Sequence, residues 1–189
     1  LTSQLSLAIL QQIVNSKRLA VNFKPFGDDL MPQRFQVEVV ETGVRAICEL
    51  LEKDAPRTCK ALWKIIKQGY TANAVHARWS GPEVVAYIPQ KARQNVDPRK
   101  IGIENATTYP ARGDVCWMYF PAGKYRLMKE EAWDLAFIYG DEARFYIPCG
   151  MVTMNVWAKI IDGLDEFSGE CGQVYQGGRK TLRLSALKE

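Results

Sequence analysis

The chain has 189 residues, 47% of them hydrophobic and 24% charged, with a formal net charge of +4. That length suffices for one domain with its own core, without disulfides or a metal to hold it, and the basic residues are scattered among acids instead of forming a nucleic-acid-binding block. No apolar run approaches the roughly 20 residues that cross a bilayer as a helix, and a single histidine excludes any site built on two imidazole ligands.

The first predicted element lies at residues 4 to 15, where Leu5, Ile9 and Ile13 recur at intervals of four with Leu10 and Val14 alongside, the stripe of an amphipathic helix. Lys24-Pro25-Phe26-Gly27 and Met31-Pro32 form turns, so residues 1–33 read as a helical arm and connector and residues 34–189 as the body. Such a stripe covers a flank or a partner subunit, and a homo-oligomer is expected.

The body opens with two β-prone runs, Phe35 to Val40 and Val44 to Leu50, joined by Thr42-Gly43 in a hairpin pattern. Asp54 then offers a helix cap and Pro56 a first-turn residue. Cys59, Leu62, Trp63 and Ile66 follow at three- and four-residue steps, predicting a packed helix with Lys60, Lys64 and Lys67 outward.

Ala74 to Ile88 reads as a second hairpin broken at Gly81-Pro82. Strand alternation would put His76, Arg78 and Ser80 on one side and Val75, Ala77 and Trp79 on the other. Gln90 to Lys100 is a polar loop, and Ile101 to Pro110 gathers Glu104, Asn105, Thr107, Thr108 and Tyr109, an inventory fit either for a pocket or for turns bonded to their own backbone.

Val115 to Phe120 and Trp133 to Tyr139 are expected strands, and Arg144 begins another. The pair Glu130-Glu131 reads as a solvated turn. Val156, Ile160, Leu164 and Phe167, spaced four, four and three, predict a second helix with Thr153 or Asn155 as its cap and Gly163 as a weak point. Thr181 to Ser185 alternates and returns as a closing strand. Six to eight short strands with two body helices predict a mainly β fold, a closed or nearly closed barrel capped by helices.

The five cysteines, Cys48, Cys59, Cys116, Cys149 and Cys171, are odd in number with no Cys-x-x-Cys pair, the usage of reduced thiols. A cytoplasmic location is expected, with no cofactor and no metal.

Five motifs in one order then resemble a known family. Asp54-Ala55-Pro56-Arg57-Thr58-Cys59, His76-Ala77-Arg78-Trp79-Ser80-Gly81, Glu104-Asn105-Ala106-Thr107-Thr108-Tyr109-Pro110, Gly113-Asp114 and Phe137-Ile138-Tyr139-Gly140 are similar to an uncharacterised, mainly bacterial family with a cyclophilin-like fold. The resemblance runs over about residues 34 to 186 and implies a cyclophilin-like closed barrel. A shared barrel does not fix chemistry. Cyclophilins carry a Phe-His-Arg strand; here His76-Ala77-Arg78 is one residue out of step, which makes prolyl isomerisation the third reading.

The first reading is a small-molecule enzyme of lyase, isomerase or cyclase type acting by general acid/base chemistry on an anionic or carbonyl-containing metabolite. Histidine is the side-chain type suited to exchanging a proton near neutrality, which makes His76 the first acid/base candidate, with Glu104 and Tyr119 as further ones. Arg78 offers a planar fork for a carboxylate, with Trp79, Asn105 and Tyr109 as further substrate-binding candidates. The second reading is a non-catalytic ligand-binding or interaction module. The expected partner is a small molecule, with neither nucleic acid nor membrane.

Overall fold

The computed structural model describes residues 32–125 and 128–187. The chain divides into two units, Leu1–Met31 and Pro32–Glu189. The helix expected over residues 4 to 15 lies outside the described residues.

Among the described residues the second unit is built on eleven strands and two α-helices: β1 (Arg34–Val39), β2 (Arg45–Leu50), α1 (Pro56–Ile66), β3 (Tyr70–His76), β4 (Glu83–Tyr87), β5 (Ala106–Thr107), β6 (Asp114–Phe120), β7 (Ala132–Ile138), β8 (Tyr146–Ile147), β9 (Gly150–Met151), β10 (Met154–Asp162), α2 (Leu164–Gly177) and β11 (Lys180–Ala186). In the order β2-β1-β11-β3-β4-β7-β6-β10, with β10 pairing back to β2, eight antiparallel strands close a barrel. β5 flanks β10, and β8 and β9 form a separate hairpin.

The strands alternate, as closure demands, apart from register shifts in β10. Phe35, Val37, Ala74, Val84, Ala86, Val115, Trp117, Leu135, Phe137 and Trp157 point inward and form one core with Cys59, Leu62, Ile65 and Ile66 of α1 and Phe167, Cys171 and Val174 of α2. The helices plug opposite ends. β2 leads directly into α1 and β3 leads out of it, whereas Gly163, just before α2, packs on Arg45 where β2 begins. On the outer face Cys116, Ala136 and Ile138 are covered by Ala143, Phe145 and Met154, a smaller second core.

The first hairpin, α1 and the closing strand lie where their sequence patterns put them, whereas the second hairpin is shifted, its first strand running Tyr70–His76 and stopping short of Arg78. The second helix is displaced as well. Residues 154–162 are β10, a nine-residue strand, and the helix starts only at Leu164. The four-four-three spacing arose because β10 is covered on both faces, so Val156, Trp157 and Ala158 are all buried and no polar alternation betrays the strand. Thr153 and Asn155 therefore cap nothing. Gly163 is the residue at the α2 N-cap, at φ +71°, where a Cβ would collide with the Arg45 carbonyl oxygen.

Candidate functional site

The loop after β3 organises the site. β3 ends at His76, so residues 77–82 form a loop and strand alternation does not extend through Arg78 and Ser80. This loop is stitched to the segment after β7: Tyr139 N–H donates to the Pro82 carbonyl (3.0 Å) and Arg144 N–H to that of Ser80 (2.9 Å). The two backbones approach so closely that a Cβ at Gly140 would sit 2.9 Å from Pro82 Cβ.

His76 pairs with Val84 in the inward row, at the α2 end of the barrel. Its Nδ1 lies 2.8 Å from the Ala77 carbonyl, which can only accept, so Nδ1 carries a proton; Nε2 lies 2.6 Å from the Tyr139 hydroxyl and, in the neutral ring, accepts from it. Tyr175 of α2 packs edge-on at 4.9 Å between ring centroids. The imidazole is thus held by three neighbours of the end cap.

Beneath the loop lies a cavity of about 860 Å³ on the outer face of β3, β4 and β7. His76, Arg78 and Trp79 line it together with Ser80, Glu83, Tyr87, Lys91, Asp134, Tyr146 and Arg179. Its floor holds two buried acids: Glu83, 2% exposed, and Asp134, 8% exposed. One oxygen of each carboxyl, Oε2 and Oδ1, has no hydrogen-bond partner among the described residues. Burial raises Glu83 from an ordinary 4.5 to about 7, with a Ser80 hydrogen bond pulling weakly the other way. Burial, and then the charge of Glu83, pushes Asp134 well above the usual carboxylate range. Tyr87 goes up to about 12 through burial and the charges of Asp134 and Glu83. Arg78, Lys91 and Arg179 are exposed at this cavity and carry no ion pair or hydrogen bond among the described residues.

The other sequence candidates lie elsewhere. The Glu104 carboxylate accepts from Arg57 N–H (3.0 Å) and Thr58 N–H (2.7 Å) at the first turn of α1, from the Thr58 hydroxyl (2.7 Å) and from Arg57 Nε (2.8 Å). It does what Asp54 was expected to do, capping the helix from 46 residues away in sequence. Burial would raise its pKa, but the hydrogen bonds from Thr58 and Arg57 outweigh that and leave it low. Asn155 is the hub beside it, taking Glu104 N–H and donating to the Thr58 hydroxyl and the Gly102 carbonyl.

Asn105, at φ +42°, donates to the Val156 carbonyl. Tyr109 is 71% exposed, its main chain held by Thr107 in a local turn. Tyr119 donates to Glu131 (2.9 Å) at the α1 end of the barrel, in a second cleft with Arg93 and Arg99. His76 shares a row with Val84, Phe137 and Val115, four residues from Tyr119, or about 13 Å along a strand. The cavity thus gathers His76, Arg78 and Trp79 and excludes Glu104, Asn105, Tyr109 and Tyr119. Glu83 and Asp134 did leave a signal: each is an acid inside a β-prone apolar run, Glu83-Val84-Val85-Ala86 and Trp133-Asp134-Leu135-Ala136, where an unpaired charge is expensive.

Among the described residues no group of three or more His, Cys, Asp or Glu side chains is arranged to hold a metal ion, and no helix is long and apolar enough to cross a membrane.

Closed barrel, two plugging helices and outer-face cavity together define a cyclophilin-like β-barrel protein. The fold is similar to that of the Mimivirus cyclophilin, at 12% identity and TM-score 0.51 over 84% of this chain and 91% of that one. It is also similar to McbB, solved in complex with tryptophan, at 17% identity and TM-score 0.56 over 82% of this chain; the match spans 45% of McbB. No curated protein matches by sequence. The chain belongs to the DUF3830 family, described as a protein of unknown function, whose sequence profile matches residues 37–186.

Proposed function

We propose that the outer-face cavity is the active site of a small-molecule enzyme and that Glu83 is its proton-carrying group. The observation that carries the reading is a buried, half-unpartnered carboxyl in the floor of a cavity, raised to about 7. A group titrating there offers both its acid and its base form near neutrality. Asp134 opposes full ionisation of the pair.

Arg78, with Arg179 and Lys91, supplies unpaired positive charge for an anionic or carbonyl-containing substrate. The chemistry suited to this set is proton transfer next to a carbonyl, as in a lyase, isomerase or cyclase. The role first given to His76 passes to Glu83 because the imidazole is engaged by Tyr139 and Ala77. McbB, similar in fold alone, was solved with tryptophan, a small carboxylate of the size this cavity admits. Prolyl isomerisation is the weaker reading, since Arg78 sits in a loop beyond the strand that carries the cyclophilin arginine.

The test is incubation in deuterium oxide with a panel of small carboxylates and cyclic amides, followed by proton NMR and mass spectrometry. Carbon-bound hydrogen exchange or conversion is expected with the wild-type chain, reduced on the order of 100-fold or more in Glu83→Gln and retained in His76→Gln. A tightly bound ligand recovered unaltered and unexchanged would leave a binding module instead.

A further inference from the structure

Large side chains left in solvent are scattered over most protein surfaces, but here three exposed aromatics line one cavity. Trp79 (48% exposed) from the loop after β3, Tyr87 (45%) from the end of β4 and Tyr146 (40%) from β8 line the same cavity. A cluster of exposed rings around a concavity marks a contact surface, and rings bind flat apolar groups by stacking or edge contacts. Tyr109 and Tyr175, also exposed, do not line it.

Two of the rings are held at a set spacing. Ser80, next to Trp79, accepts at its carbonyl from Arg144 N–H (2.9 Å), two residues before Tyr146. The loop bearing the indole is therefore tied to the hairpin bearing the phenol.

Charge completes the pattern. Arg34, Arg57, Arg93 and Arg112 are each paired with an acid, whereas Arg78 and Arg179 at this cavity are not. Arg179 precedes Lys180, which pairs with Ala74, and so stands beside the end of β3 from which Arg78 follows. Two planar guanidiniums at one end of an aromatic-walled cavity form a receptor for a carboxylate attached to a ring.

We infer that the cavity takes an aromatic carboxylate, its ring at Trp79 and Tyr146 on the tied loop and hairpin and its carboxylate at Arg78 and Arg179; this deepens the acid–base reading of the same site and rests on it for what then happens to the ligand. A purely aliphatic acid leaves the rings bare, and a neutral aromatic leaves both guanidiniums without a counter-charge.

Isothermal titration calorimetry with 2-naphthoate, 2-naphthamide and cyclohexanecarboxylate tests it. Naphthoate is expected to bind at least tenfold tighter than either of the others. Trp79→Ala and the double variant Arg78→Ala/Arg179→Ala are each expected to weaken it at least tenfold with unchanged melting temperatures, since all three side chains are exposed. Equal affinity for the three compounds, no saturable naphthoate binding, or variants that bind as well as wild type would overturn the inference. The two proposals fail separately: naphthoate binding without hydrogen exchange in any aromatic acid sinks the catalytic reading alone, and exchange in an aliphatic acid without naphthoate binding sinks the ligand class alone.

Discussion

Replacing Glu83 by glutamine should make the protein more stable, and increasingly so as pH rises. In the folded chain the Glu83 carboxyl holds its proton to about 7, against an ordinary 4.5. Between these values the folded state binds more protons than the unfolded one, so this group's contribution is fully present below about pH 4.5 and is lost as pH rises through about 7. The gap corresponds to about 3 kcal/mol at pH values above that window. Glutamine keeps the shape of the protonated acid and never ionises, so the Glu83→Gln minus wild-type difference should grow from near zero at about pH 4.5 to about 3 kcal/mol at about pH 8. For a chain of this length that is roughly 6–12 °C in Tm. Thermal unfolding of both proteins in matched buffers measures it. Asp134 titrates in the same direction, and because the charge of Glu83 is one cause of its rise, the substitution relieves part of that rise as well, so the difference reads the pair and keeps the same sign. A difference that stays flat across the range would refute the buried-acid argument and with it the catalytic assignment.

Glu104→Gln should destabilise by about 1–3 kcal/mol, because the charge-assisted bonds to the first turn of α1 are weakened. Asp54→Ala, at the expected cap that makes no side-chain bond there, should stay within about 0.5 kcal/mol of wild type; urea midpoints compare the two. Gly163→Ala should cost about 2 kcal/mol or more, since it adds positive-φ strain to a clash with the Arg45 carbonyl, and the same titration reads it. With an aromatic disulfide reagent, one of the five thiols should react fast in the native protein. Cys149 is exposed, while Cys48, Cys59, Cys116 and Cys171 are buried with their pKa values raised by burial. Two or more fast thiols would contradict that burial.

Sequence periodicity resolved elements wherever one face of an element is wet. The hairpin β1–β2 alternates, and α1 keeps its lysines outward and Leu62 and Ile66 inward. β10 defeated the same reasoning because neither of its faces is wet along residues 154–158 and the spacing of Val156 and Ile160 runs on into Leu164 and Phe167 of α2. The candidate site divides in a similar way. The loop with Arg78 and Trp79 could be found from chain order, whereas Glu104, chosen for its chemistry, is held by a helix that only the closed barrel brings within reach.

Local sequence by itself determined what depends on neighbours in the chain: short strands, a proline-started helix, and a hairpin rich in recognisable chemistry. The tertiary structure decided what depends on desolvation and on contacts across strands. Glu83 and Asp134 lie 51 positions apart and are ordinary acids in any extended chain. They become reactive candidates only when adjacent strands bury both on one outer face, since a carboxyl's proton affinity is set by the water it has lost and the charges it has gained.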